Sequence, residues 1–303
     1  MIVLHTIFRE AYVGLNNDDN KSQDSSIAET KPKLNKVAVG VCIYTRFILL
    51  LVFTNIETIG SLFVMTMYDW TNGQAVKYYG LITLGQGGVN FLCNLLFIIW
   101  LGQLIGRKNW ERGVTIFGLS LMLVFHLITF PWPFWPRKLT YDEITHPNQT
   151  ATEISGCYTQ TYHWCSSTHQ IPLWIYAFGM VVIMAISIGS AFTPLNILYS
   201  KILGNTRQGT MTGILFMAGS IARTIGPLVV SFLFDHYGPE VTWSIQIIFL
   251  GITIPIWILL YGKIVPLNVI QSSKSGDCKK ENERISIRTK STSTETVSST
   301  EKF

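Results

Sequence analysis

Charged side chains are scarce in this sequence. Asp, Glu, Lys and Arg make up 14% of its 303 residues, whereas soluble domains carry about 25%. The shortage is greater in the middle of the chain, because residues 9–36 and 268–303 are rich in Lys, Ser, Thr, Asp and Glu. This composition argues against a soluble enzyme, a secreted disulfide scaffold and a nucleic-acid-binding domain.

Cysteine is also sparse, and the motifs of common catalytic sites are missing. The five cysteines form no CxxC pair and no Cys/His cluster with metal-ligand spacing. The sequence has no nucleophile elbow, no HExxH and no phosphate-binding glycine loop after a strand. We therefore expect neither enzymatic activity nor a bound cofactor.

What the chain does have is long apolar runs. A helix needs about 20 mainly apolar residues to cross the hydrocarbon core of a bilayer, and the sequence contains six such stretches. They predict an all-α membrane protein with six transmembrane helices, at residues 37–65, 79–104, 113–130, 173–198, 211–234 and 241–262.

The distribution of basic residues predicts the orientation of these helices. With both termini in the cytosol, 18 of the 23 Lys and Arg residues fall on the cytosolic side. Three of them, Lys77, Arg137 and Lys138, fall on the opposite side, and two lie within helices. Cytosolic loops are normally enriched in these residues, so we expect both termini to lie in the cytosol.

The loop at residues 131–172 then lies on the luminal or extracellular side. It contains the glycosylation sequon of Asn148, which is modified only on that side. Cys157 and Cys165 share the same loop, and a disulfide between them fits an oxidising compartment. Zinc bound with His163 and His169 is a weaker alternative.

The two ends of the chain are predicted to lie outside the bundle at residues 37–262. Residues 1–36 are interpreted as the end of a preceding helix followed by a cytosolic loop. Residues 263–303 form a Ser-, Thr- and Lys-rich tail, which is too polar to bury a core and is predicted to be disordered.

Charged residues within a membrane helix are costly and often functional. Glu57 belongs to a polar stripe on the first predicted helix, with Thr54, Thr58 and Ser61 at helical spacing. Such a stripe faces a wet cavity or the bundle interior. Glu57 either carries a proton or cation along a transport path or is a structural tie to a neighbouring helix.

Arg223 lies in the middle of the fifth predicted helix, among small residues and just before Gly226 and Pro227. Because its guanidinium stays charged, it needs an acidic partner, backbone oxygens, water or a transported anion. Contact with an anion and a fixed pair with Glu57 are equally open. Arg46, near the start of the first helix, is expected to snorkel to the cytosolic headgroups.

The second predicted helix carries another polar face, made by Gln86, Asn90 and Asn94 at intervals of four residues. This face is typical of a hydrogen-bonding seam between helices. A role for Asn90 in lining a cavity is the alternative. His126, on the third predicted helix, is interpreted as a satisfied core residue rather than a titrating site.

Several short runs point to a known family. Gly102, Gly106, Arg107 and Lys108 resemble the cytosolic loop motif of major facilitator transporters, without its usual acidic residue. The chain also resembles the C-terminal half of one family member through residues 56–59, 67–71, 74–76, 198–204 and 222–227, and through the pairs at 156–157 and 164–165.

This resemblance implies that the six spans are helices 7–12 of a twelve-helix major facilitator fold. It also implies a lysosomal or late endosomal membrane, with a path for chloride or for a proton-linked small solute. Glu57 and Arg223 match charged positions of the family member, and together with Thr58 and Asn90 they are the candidate transport residues.

The partners expected on this interpretation are the lipid bilayer, a small anion or organic solute, and either a missing N-terminal half or a second copy of the chain. No nucleic acid is expected. The competing hypothesis is a half-transporter that acts as a membrane interaction or assembly protein and transports nothing.

Overall fold

The computed structural model describes residues 35–139, 157, 162–204 and 208–264, and these residues are helical apart from short connections. The helices run Lys36–Tyr68, Asn72–Leu96, Gly102–Lys108, Glu111–Ile128, Leu173–Phe178, Ala185–Leu203 and Gln208–Leu259. Two π-helical segments, Phe97–Leu101 and Gly179–Met184, join neighbouring helices.

Five of these stretches are long and apolar enough to cross a membrane. They are the first span Lys36–Tyr68, the second span Asn72–Leu101, the third span Glu111–Ile128, the fourth span Leu173–Leu203 and the fifth span Gln208–Leu259. The protein is therefore a multi-pass, all-α membrane protein.

The fifth span is continuous where the sequence predicted two separate helices. It has 52 residues and joins the two predicted helices at residues 211–234 and 241–262. No loop separates them, because the direction of the backbone changes at Gly238 alone, with φ 78° and ψ −171°. The ring of Trp164 also lies where a Cβ on Gly238 would be, so glycine is required there on both counts.

The chain reverses its direction at Gly238. Before it, Gly219 packs on Leu50 and Gly226 packs farther along the first span, on Asn55. After it, Trp243 stacks on Phe63 at 4.5 Å, and the indole N–H of Trp257 donates to the hydroxyl of Thr45 at 2.8 Å. The two halves of the fifth span therefore run parallel and then antiparallel to the first span.

Local sequence explains where the first two spans end and begin. The first span begins after Asn35, whose side-chain oxygen accepts from the Ala38 N–H, and it ends at Asp69 in a left-handed conformation. The second span begins at Asn72, earlier than the predicted residue 79. Thr71 and Gln74 form a capping box there, and this extends the helix back through polar residues.

The first span is the centre of the bundle. Its buried side chains include Phe63, which lies between the rings of Trp243 and Tyr176. In the most apolar stretch of the second span 11% of the residues are buried, whereas 56% are buried in the corresponding stretch of the first span. The second span thus lies at the edge of the described bundle.

Candidate functional site

Glu57 and Arg223 are brought together by the structure. Oε2 of Glu57 lies 3.6 Å from a terminal guanidinium nitrogen of Arg223, and their side chains are 47% and 56% exposed. The pair joins the first span to the fifth. A pair between these two residues was one of the two arrangements that the sequence left open. Because both side chains are about half exposed, both charged groups are accessible from the surface of the bundle.

Small residues set the distance between these two spans. Gly219, Ala222 and Gly226 lie buried against the first span, which lets the two helix backbones approach closely. With its amide reoriented, Asn55 donates to the carbonyls of Gly226 and Leu51, both at 3.2 Å. Pro227 has no N–H for the carbonyl of Arg223 four residues earlier, so the helix is locally weakened beside the ion pair.

A cavity of about 240 Å³, here called the polar cavity, opens beside Glu57. Asn90 and Gln86, both on the polar face predicted for the second span, contribute to its wall, and so do Tyr79 and Thr83, for which no role was predicted. The remaining lining residues are Phe53, Ile56, Gly87, Met180 and Ile188.

Tyr79 fixes one edge of the polar cavity. Its hydroxyl donates to the carbonyl of Ile56 at 3.1 Å, and its ring lies directly over Gly60. A Cβ at position 60 would overlap the phenol, so this glycine allows the contact. The spacing of Tyr79, Thr83, Gln86 and Asn90 on one helix face would have revealed the polar lining that the second span contributes.

Asn90 also belongs to a hydrogen-bonded seam between the second and fourth spans. Its side chain donates to the carbonyl of Ala185 at 3.0 Å. Asn94 donates to the side chain of Asn90 at 2.9 Å and accepts from Thr193 at 3.0 Å. Asn90 was predicted either to join a seam between helices or to line a cavity. In the structure it does both.

Thr58 and Arg46 differ from the expected arrangement. Thr58 is an exposed residue whose hydroxyl donates to the carbonyl of Thr54 in its own helix, and it does not line the polar cavity. Arg46 does not stand alone at the headgroups: its guanidinium lies over the rings of Phe192 and Phe216, 4.9 and 5.3 Å from their centres. These cation–π contacts hold it against the bundle.

A second ion pair was not foreseen from the sequence. Lys201, at the end of the fourth span, contacts the carboxylate of Glu111 and also donates to the carbonyl of Gly106 at 3.3 Å. The Glu111 side chain is 1% exposed. The two residues are 90 positions apart in sequence, so only the packing of the third and fourth spans reveals this pair.

His126 is a buried core residue in the structure. Its ring nitrogens lie 2.7 Å from the carbonyl of Met122 and 2.6 Å from the side-chain oxygen of Gln246. Within the described residues, no group of three or more His, Cys, Asp and Glu side chains could hold a metal ion.

The loop between the third and fourth spans is tied down near its end. Cys157 and Cys165 form a disulfide, and the ring of Trp164 packs edge-on against Phe234 at 5.2 Å. Burial, together with the nearby carboxylate of Asp235, raises the pKa of Tyr162 in this loop. The glycosylation sequon at Asn148 and the two terminal segments lie outside the described residues.

Sequence comparisons agree with this architecture. The family profile of the Major Facilitator Superfamily matches residues 154–296. Major facilitator superfamily domain-containing protein 8 of Xenopus laevis is 30% identical over 295 residues, which cover 88% of this chain and 55% of that protein. The chain therefore spans about half the length of this relative, and it belongs to the major facilitator superfamily.

Proposed function

We propose that this chain forms one half of a membrane transporter, equivalent to helices 7–12 of a major facilitator fold. The reversal at Gly238 supports this, because it divides the 52-residue fifth span into two passes and brings the total to six. The same topology has both termini in the cytosol and residues 131–172 on the opposite side. Loss of a glycosidase-sensitive mass shift after Asn148→Gln would support it, and an unchanged shift would contradict it.

The proposed transport path contains the Glu57–Arg223 pair and the polar cavity. In many transporters of this kind, substrate sites lie near the bilayer midplane between two repeats. The observation that carries this proposal is the half-exposed ion pair between the first and fifth spans. A charged side chain is costly in hydrocarbon, so charges kept within membrane spans often have a function. Arg223 attracts the anion, and protonation of Glu57 controls how tightly Arg223 is held.

We propose chloride, or a small organic anion moved with protons, as the solute. A solute anion can replace the carboxylate of Glu57 at Arg223, because the two groups are 3.6 Å apart rather than in closest contact. Asn90 and Thr83 contribute polar atoms beside this position. The membrane proposed is that of the lysosome or late endosome, where a proton gradient would act on Glu57; comigration with lysosomal hydrolases on a density gradient would test this location.

Flux measurements test the path directly. The protein, purified from the membrane in which it is made, is reconstituted in vesicles that contain a chloride-sensitive dye. Arg223→Gln should reduce chloride flux by about tenfold, the effect of losing roughly 1.4 kcal/mol of binding. Glu57→Gln should leave flux measurable but remove its dependence on pH.

Arg112→Gln is the matched control, because Arg112 bonds to the carbonyl of Tyr261 at the end of the bundle, away from the polar cavity. Its flux should equal that of the unmodified protein. Equal flux from Arg223→Gln would remove Arg223 from the path. Stable protein without chloride or proton-linked flux would favour the competing assembly role.

A further inference from the structure

An apolar groove opens on the bundle surface between the end of the third span and the beginning of the fourth. Its volume of about 480 Å³ lies within the range of about 300–1,000 Å³ seen for small-molecule sites. It is here called the aromatic groove and is lined by Leu127, Ile128, Trp132, Phe134, Trp135, Trp174, Ile175, Phe178 and Ile183.

One wall of the aromatic groove is held in place by hydrogen bonds. The indole N–H of Trp132 donates to the carbonyl of Leu127 at 2.8 Å, and that of Trp135 donates to the carbonyl of Phe130 at 3.3 Å. These carbonyls belong to the last turn of the third span and the residues after it, where helical partners are lacking. The tryptophan rings are thus fixed before any ligand binds.

The outer side of the aromatic groove is open to the surroundings. Trp174 is 73% exposed and Phe134 is 70% exposed. Because the third and fourth spans cross a bilayer, side chains at their ends meet the boundary between hydrocarbon and headgroups, where tryptophan is enriched. The material next to this opening is therefore lipid.

A basic rim adjoins the aromatic groove. Arg137, two residues after Trp135, lines a second cavity of about 250 Å³ with Tyr68 and Gln170. Its backbone is fixed, since the Gln170 N–H donates to the Arg137 carbonyl at 2.7 Å. Within the described part of the chain, no acceptor or carboxylate contacts the Arg137 guanidinium, and Lys138 is exposed beside it.

We propose that the aromatic groove and Arg137 together form a binding site for a phospholipid with an anionic headgroup. One acyl chain occupies the groove, and the headgroup phosphate lies at Arg137 and Lys138, where basic residues attract anionic lipid. Two of the three basic residues predicted on this side of the membrane lie at this one position, so charge and apolar surface coincide. The site is separate from the proposed transport path.

Quenching of tryptophan fluorescence by brominated lipid tests this site. Three of the nine tryptophans line the aromatic groove, so bromine on a bound acyl chain should quench them. The protein is reconstituted in vesicles of unlabelled phosphatidylcholine that contain brominated phosphatidylglycerol or brominated phosphatidylcholine. We expect brominated phosphatidylglycerol to quench at several-fold lower mole fraction.

Two variants separate headgroup recognition from general lipid contact. Arg137→Gln should reduce the preference for phosphatidylglycerol about fivefold, whereas Lys77→Gln, which removes a basic residue outside the site, should preserve it. Thermal unfolding in detergent should be unchanged in both, because neither side chain has a described partner.

The proposal is overturned if both brominated lipids quench equally, since that result describes ordinary boundary lipid. It is also overturned if Lys77→Gln loses the preference as fully as Arg137→Gln. Inorganic phosphate, added at constant ionic strength, should not compete. Competition by inorganic phosphate would instead identify a site for a free anion that makes no use of the aromatic groove.

Discussion

Within the part of the chain that the structure describes, two ion pairs join different spans, and they are built in opposite ways. Glu111 is enclosed by the bundle and contacts Lys201, which is also held by a backbone carbonyl. Glu57 and Arg223 are 3.6 Å apart and about half exposed. The first pair has no room to exchange partners, whereas the second can release either group to water or solute. Position, rather than charge, separates the enclosed pair from the pair for which we propose a transport role.

This difference should be largest when one member of the buried pair is removed. Lys201→Met leaves the carboxylate of Glu111 buried without its cation, and such losses cost about 3–5 kcal/mol. Because Lys201 is partly exposed, we expect a loss of about 2–4 kcal/mol of unfolding free energy. Chemical denaturation in detergent measures this loss.

The double variant Glu111→Gln with Lys201→Met controls for this result. It removes the stranded charge together with its partner, and it should regain most of the lost stability. If Lys201→Met alone stays within about 0.5 kcal/mol of the unmodified protein, the buried pair is not structural and the comparison fails.

A smaller effect is expected in the seam between the second and fourth spans. Asn94→Leu removes the contacts to Asn90 and Thr193, and hydrogen bonds between membrane helices average about 0.6 kcal/mol, with a maximum near 1.7. We expect a loss within this range in thermal unfolding. Thr83→Val serves as its control, since Thr83 bonds only to carbonyls of its own helix; an equal loss there would mean that the seam contributes nothing.

The smallest effect on stability should come from the exposed pair. Solvent-accessible ion pairs contribute about 0–1 kcal/mol, so a double-mutant cycle with Glu57→Gln and Arg223→Gln should give a coupling energy within that range. A coupling above about 2 kcal/mol would show a dry, fixed pair, which is the structural alternative for Glu57.

Sequence alone predicted most of the bundle, because membrane spans are long and apolar. It placed a break between residues 234 and 241 but did not show that Gly238 alone makes it, because a single residue with positive φ can replace a loop when another side chain, here Trp164, covers it. It also misplaced the start of the second span, since the capping residues Thr71 and Gln74 precede the apolar run.

The site was predictable only in part. Glu57, Arg223 and Asn90 were found because polar groups are costly in a bilayer, and the structure places all three on or beside the polar cavity. The contact between Glu111 and Lys201 joins two parts of the chain that are 90 residues apart in sequence. No periodicity within one helix contains that information.

The central claim, that the Glu57–Arg223 pair faces water within the membrane, can be measured by thiol labelling. In a background without free cysteines, Glu57→Cys should react with a charged, water-soluble thiol reagent. Leu81→Cys, 65% exposed but on the face of the second span opposite the polar cavity, should not react, because lipid covers it. Failure of Glu57→Cys to react, or equal reaction at both positions, would contradict the account.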